Sequence, residues 1–182
     1  MNNITILILM QLFGLTQLAF SQGQMQWMTM SEAQERSKVE KRKIFVDVHT
    51  DWCGWCKKMD KTTFSDPRIT HYMNKNYYAV KLDAEEKNDI ILKEKIYKFN
   101  KHGARGYHDL AKVLLNGQMS YPSIVFLDED FNPIQAIPGY QDGKNFLMIA
   151  SYFAGNMHKS TPWNKYVEEF TAKEKAWKPY GN

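Results

Sequence analysis

A β-rich stretch, Ile44-Phe45-Val46-Asp47-Val48-His49, is followed almost at once by Trp52-Cys53-Gly54-Trp55-Cys56, which holds both cysteines of the chain. The stretch reads as a buried strand, and from Cys53 onward Cys56, Met59 and Thr63 recur at the spacing of one helix face. A strand that delivers Cys-x-x-Cys to a helix start has chemical consequences. Unsatisfied N–H groups and the helix macrodipole favour an anion there, so Cys53 is expected to be the thiolate of the pair and Cys56, one turn further in, the more shielded thiol. A second thiol three residues on can reach back and resolve a mixed disulfide.

Other uses of two sulfurs fit the sequence less well. A bridge across so few residues removes little entropy from the unfolded chain and makes a poor staple. A structural zinc needs four ligands, and of the five histidines only His102 and His108 come near a zinc-finger spacing, with Gly103-Ala104-Arg105-Gly106 between them. His49, His71 and His158 are scattered.

Residues 1–21 carry no charged side chain, hold an apolar run from Ile4 to Phe20, and end in Ala19-Phe20-Ser21, a small-x-small cleavage pattern. They read as a secretory signal cut near Ser21, although no Lys or Arg precedes the apolar run. The alternative, an uncleaved anchor, has about 17 residues with four polar interruptions where a bilayer asks for about 20. Export also makes inert free cysteines a hazard.

After the signal, residues 22–182 suit a single domain, with a core over about 30–155 and a helical extension over about 156–182. At 43% apolar and 14% aromatic residues, disulfide scaffolding is not required. The net charge of +4 is dispersed through mixed runs, which argues against a nucleic-acid partner.

Strand and helix signals alternate. Ser31 to Lys41 reads as a helix with a Ser31/Gln34 capping box, and Ser65-Asp66-Pro67 opens another with Pro67 at its first position. Tyr78–Asp83, Ser123–Asp128 and Ile134–Ile137 read as strands, Asp142–Ala154 as an amphipathic helix, and Thr161-Pro162 as the cap of a last helix to about Lys175. Between Asp89 and Gly117, Ile96, Tyr97 and Phe99 behind the charged Lys93-Glu94-Lys95 favour a small hairpin over a helix, and Tyr107–Leu115 reads as a helix stopped by Asn116-Gly117.

The segment from Phe45 to Ile69, with Tyr78-Ala79-Val80-Lys81-Leu82-Asp83 and Ser120-Tyr121-Pro122-Ser123 after it, resembles the thioredoxin superfamily. It is similar to exported thioredoxin-like domains such as the carboxy-terminal domain of thiol:disulfide interchange protein DsbD. The resemblance implies an α/β thioredoxin fold: a central four-stranded mixed sheet flanked by helices, with an insertion before a cis-proline loop and an extra carboxy-terminal helix. It implies Cys53 as nucleophile, Cys56 as resolving cysteine, Asp47 as the buried acid serving that thiol, and Lys81 as a lysine approaching Asp47. Trp52, Gly54, Trp55, Tyr121, Pro122 and Gly139 are implied on the substrate side, with Tyr121-Pro122 at the cis-proline position.

Three departures limit what carries over. Gly54-Trp55 is neither the Gly-Pro of thioredoxins nor the Pro-His of strong oxidants, Tyr121 is bulky, and His49 stands where an aromatic residue is common. Couples on this fold span about 150 mV, or about 7 kcal/mol, so the motif alone leaves redox direction open. The expectation is an exported thiol:disulfide oxidoreductase, reducing disulfides of periplasmic or secreted proteins, monomeric, without a cofactor or resident metal. Its expected partners are protein thiol/disulfide substrates and a redox partner such as a membrane electron donor. A disulfide oxidase or isomerase, a peptide-binding chaperone-like module, and a metal carrier using Cys53, Cys56 and His49 remain the alternatives.

Overall fold

The computed structural model describes residues 23–102 and 105–176. The expected signal, residues 1–21, and the end of the carboxy-terminal extension lie outside the described residues.

The strands are β1 (Trp27–Met28), β2 (Lys43–His49), β3 (Tyr77–Asp83), β4 (Ile90–Leu92), β5 (Lys95–Tyr97), β6 (Phe99–His102), β7 (Arg105–His108), β8 (Ser123–Leu127) and β9 (Pro133–Pro138). The helices are α1 (Met30–Val39), α2 (Gly54–Thr62), α3 (Pro67–Asn76), α4 (Asp109–Leu114), α5 (Gly143–Ala154) and α6 (Trp163–Ala176), with a 3-10 turn at Met157–Lys159.

The central sheet has the order β1-β3-β2-β8-β9, parallel across β1, β3 and β2 and antiparallel from β2 through β8 to β9. The four expected strands are all present, and β1 makes a fifth at the β3 edge. With two residues it has no readable alternation, and what fixes it is burial of Met28 against the sheet. Helix α1 also starts earlier than expected. Thr29 is the N-cap, its hydroxyl accepting from the Glu32 N–H while the Glu32 carboxylate accepts from the Thr29 N–H. Ser31 is therefore inside the helix, and Gln34 bridges to a hairpin, donating to the Ile91 carbonyl at 2.8 Å and accepting from the Lys93 N–H at 3.0 Å.

Strand alternation sorts the core onto two faces. Ile44, Val46 and Val48 of β2 join Tyr78, Val80 and Leu82 of β3 under α1 and α4. Phe45 joins Tyr77 and Ala79 on the other face, under α2, α3 and α5. Asp47 and Lys81, register partners across β2 and β3, fall by parity on this second face, which α2 covers with Met59.

The 89–117 segment holds two hairpins rather than one, β4–β5 and β6–β7, and the helix expected from Tyr107 begins only at Asp109 because Tyr107 and His108 belong to β7. A Cβ at Gly106 would run into the Phe99 ring and the Asn100 carbonyl, so the β6–β7 pairing needs glycine there. The Ala84 N–H donates to the His49 carbonyl at 2.8 Å, and the His108 N–H donates to the Ala84 carbonyl at 2.7 Å. This pair of bonds hangs the second hairpin from the end of the strand that delivers the cysteines.

The described part of the extension docks on α5. Tyr152 packs against Trp163 and Tyr166 at ring separations of 5.0 and 4.9 Å, and its hydroxyl donates to the Thr161 carbonyl at 2.6 Å.

Candidate active site

Cys53 is the N-cap of α2, in extended conformation, and its sulfur accepts from the Cys56 N–H at 3.0 Å. The two cysteines form a disulfide with their Cα atoms 5.3 Å apart. The expected contrast in shielding is absent in this oxidised form, with Cys53 5% and Cys56 4% exposed.

Tyr121-Pro122 is cis, as the resemblance implied. The Pro122 carbonyl accepts from the Gly139 N–H at 2.8 Å, and Gly139 has φ +91°, a conformation that L side chains rarely adopt. Gly139 therefore fixes the loop behind the proline. Among the described residues, none donates to or accepts from the Tyr121 main chain, so its N–H and carbonyl are free to pair with an incoming strand. Burial raises the Tyr121 phenol to about 12, which keeps it neutral.

Asp47, Lys81 and Asp60 form a charged group in three parts, and Asp60 shares α2 with Cys56. Asp47, with its side chain 3% exposed, has Oδ2 3.4 Å from Lys81 Nζ, and Lys81 is bound more tightly by Asp60. Lys81 Nζ also lies 4.8 Å from the centre of the Trp27 ring. Because β1 covers the sheet edge, Lys81 is on an interior strand. Burial outweighs the attraction of Lys81 and raises the Asp47 carboxyl to about 7, with the Asp60 charge pushing the same way. Asp60 was not anticipated. Its position four residues after Cys56 on α2 puts it on the same helix face, and that spacing was the available signal.

Trp52 and Trp55 flank the disulfide on the outside, 51% and 57% exposed. Trp52 meets Tyr121 edge-on with ring centres 5.8 Å apart, and Trp55 packs against Tyr140 at 5.5 Å. Gly54 starts α2 with nothing within 4 Å of where a Cβ would be. His49 ends β2 half-buried, and burial followed by the nearby Lys81 charge lowers its pKa. Among the described residues no three His, Cys, Asp or Glu side chains gather as a metal ion would need. The strand register sets Arg105 opposite His102, and Phe99 opposite His108, so the two spaced histidines do not face one another.

A Cys-x-x-Cys disulfide at a helix start, in a chain that also has a cis X-Pro bond and a buried acid on the strand before the cysteines, is the arrangement of the thioredoxin class of thiol-disulfide oxidoreductases. Residues 17–176 match the family model Thioredox_DsbH, described as "Protein of unknown function, DUF255", and the chain belongs to that family. An uncharacterized protein of Caenorhabditis elegans is 30% identical over 138 residues, 75% of this chain and 17% of that protein. Thiol:disulfide interchange protein DsbD of Campylobacter jejuni is 42% identical over 50 residues, 28% of this chain and 9% of that protein. The chain thus spans less than a fifth of the length of these relatives. A solved structure titled DsbH Oxidoreductase superposes with a TM-score of 0.50 at 20% identity, covering 72% of this chain and 84% of that one, and this likeness supports the thioredoxin fold.

Proposed function

We propose that the protein is an exported thiol:disulfide oxidoreductase that reduces disulfides of periplasmic or secreted proteins. The observation that carries this reading is the Cys53–Cys56 bridge at the start of α2, in a chain whose Tyr121-Pro122 bond is cis and whose Tyr121 main chain is unpaired among the described residues.

In the reduced state the helix start stabilises the Cys53 thiolate, which attacks one sulfur of a substrate disulfide. A bond forms between Cys53 and the substrate, and the other substrate sulfur leaves as a thiolate that takes a proton from water. Cys56 then gives its proton to the Asp47 carboxylate and attacks the Cys53 sulfur, releasing the second substrate sulfur as a thiolate. Two electrons pass to the substrate and the protein is left with the disulfide described above. A dithiol donor must return two electrons for the next cycle, and a membrane electron donor fits that role. Lys81 and Asp60 set the charge around Asp47 in this scheme.

We base the reductive direction on the resemblance of residues 45–69 to exported thioredoxin-like domains, and export on the sequence of residues 1–21. We place the domain at residues 22–182, acting as a monomer without a cofactor. The test is insulin reduction driven by a small dithiol. The full chain should turn over, and the variant with Cys53→Ser and Cys56→Ser should show none while keeping the thermal midpoint of the reduced parent. Turnover by the double variant would overturn the assignment.

A further inference from the structure

The two tryptophans beside the disulfide are among the most exposed large apolar side chains described, and each is covered by a cation. The Arg105 guanidinium lies 4.4 Å from the centre of the Trp52 ring. Lys58 Nζ lies 4.5 Å from the centre of the Trp55 ring and 5.3 Å from that of Tyr140. The cations come from different elements. Lys58 is on α2, two residues past Cys56, whereas Arg105 begins β7, in the hairpin that the Ala84 main chain hangs beside the strand end. Trp52 with Tyr121 and Trp55 with Tyr140 form two aromatic walls, each topped by a positive charge.

Neither cation has a carboxylate within ion-pair distance among the described residues, although Lys38, Lys41, Arg42, Lys43 and Lys81 all do. Asp83 and Glu85 act on the Tyr121 phenol, and Asp51 adjoins Trp52 in sequence, so the Tyr121 side of the rim carries acids of its own. They leave Arg105 and Lys58 unpaired. A cation spread over an aromatic face keeps its outer donors for a ligand, and a guanidinium presents them in the fork that fits a carboxylate.

We propose that this rim selects protein disulfides flanked by acidic residues. The inference rests on the reading that Cys53 and Cys56 exchange with protein disulfides. A substrate strand paired to the Tyr121 main chain would place same-face side chains about 6.6 Å to either side of its cysteine, two residues away. Carboxylates at those positions complement Arg105 on one wall and Lys58 on the other.

The experiment compares two synthetic peptides, each closed by the same disulfide, with Asp or with Lys two residues to either side of the target cysteine. Each is reduced by the reduced full chain and by an Arg105→Glu, Lys58→Glu variant of it. The parent is expected to reduce the Asp peptide about threefold to tenfold faster, as two exposed charge pairs allow. The preference should collapse in about 0.5 M salt, where the screening length is a few ångströms, and should invert in the charge-reversed variant. Equal rates in the parent, or the same ratio in the variant, would overturn the inference while leaving the redox reading intact. Reduction of neither peptide would overturn both. Because each variant is judged by its own ratio, a general loss of rate cannot imitate the result.

Discussion

Replacing Cys56 with serine is expected to stop turnover and leave the protein covalently joined to its substrates through Cys53. The N-cap position of Cys53 explains why. Its sulfur is the one that the first-turn N–H groups and the helix dipole stabilise as an anion. In the bridge, the Cys56 N–H already points at it. Without a resolving thiol, the mixed disulfide waits for an outside thiol, and insulin reduction should fall by about a hundredfold or more. Non-reducing gels of the Cys56→Ser variant should show adducts that a dithiol removes. The Cys53→Ser variant should show neither turnover nor adducts, and adducts in that variant instead would reverse the two roles.

The second large effect concerns Asp47 and pH. Burial raises its carboxyl from the ordinary value of 3.8 to about 7, so the folded state holds this proton more tightly than the unfolded chain does. The stabilisation is fully present below the unfolded value and is lost as pH rises through about 7. At about 1.4 kcal/mol per pH unit the contribution is on the order of 4 kcal/mol across that window, with the opposing attraction of Lys81 already included. An Asp47→Asn variant keeps the shape and removes the titration. Denaturant unfolding at pH 4 and pH 8 should therefore show the parent losing more stability than the variant over that interval. Equal losses would mean that the carboxyl titrates normally.

The same substitution separates a buried acid that serves catalysis from one that is merely tolerated. Asparagine cannot take the Cys56 proton, so resolution at pH 8 should slow by about a hundredfold, within the range for a positioned base. In the parent the resolution rate should climb with pH through about 7, as Asp47 becomes free to accept. The variant should lack that step. A rate unchanged by the substitution would leave Asp47 a structural residue only.

How much of this was legible depended on how far the signal travels along the chain. Strand β2, the cysteine spacing and the α2 face are local patterns, and they were readable together because one segment carries all three. The cis-proline loop was found only through resemblance, since Tyr121-Pro122 by itself is one X-Pro pair among six prolines. Strand β1 was missed because two residues have no period. The start of α1 was misread because Thr29-x-x-Glu32 and Ser31-x-x-Gln34 both fit a capping box, and burial of Met30 decided between them. Asp60 was not singled out because its partner, Lys81, lies 21 residues further along the sequence. Arg105 was beyond reach altogether. Its place over Trp52 depends on the hairpin hung from Ala84, which no local pattern encodes.

The measurement that bears most directly on the central claim is the reduction potential of the Cys53/Cys56 couple, read at equilibrium against a dithiol/disulfide buffer by the change in tryptophan fluorescence. A protein that donates electrons to exported disulfides should lie toward the thioredoxin value of about −270 mV, and a value below about −200 mV is the predicted result. A value near −120 mV, that of a strong oxidant, would contradict the reductive assignment.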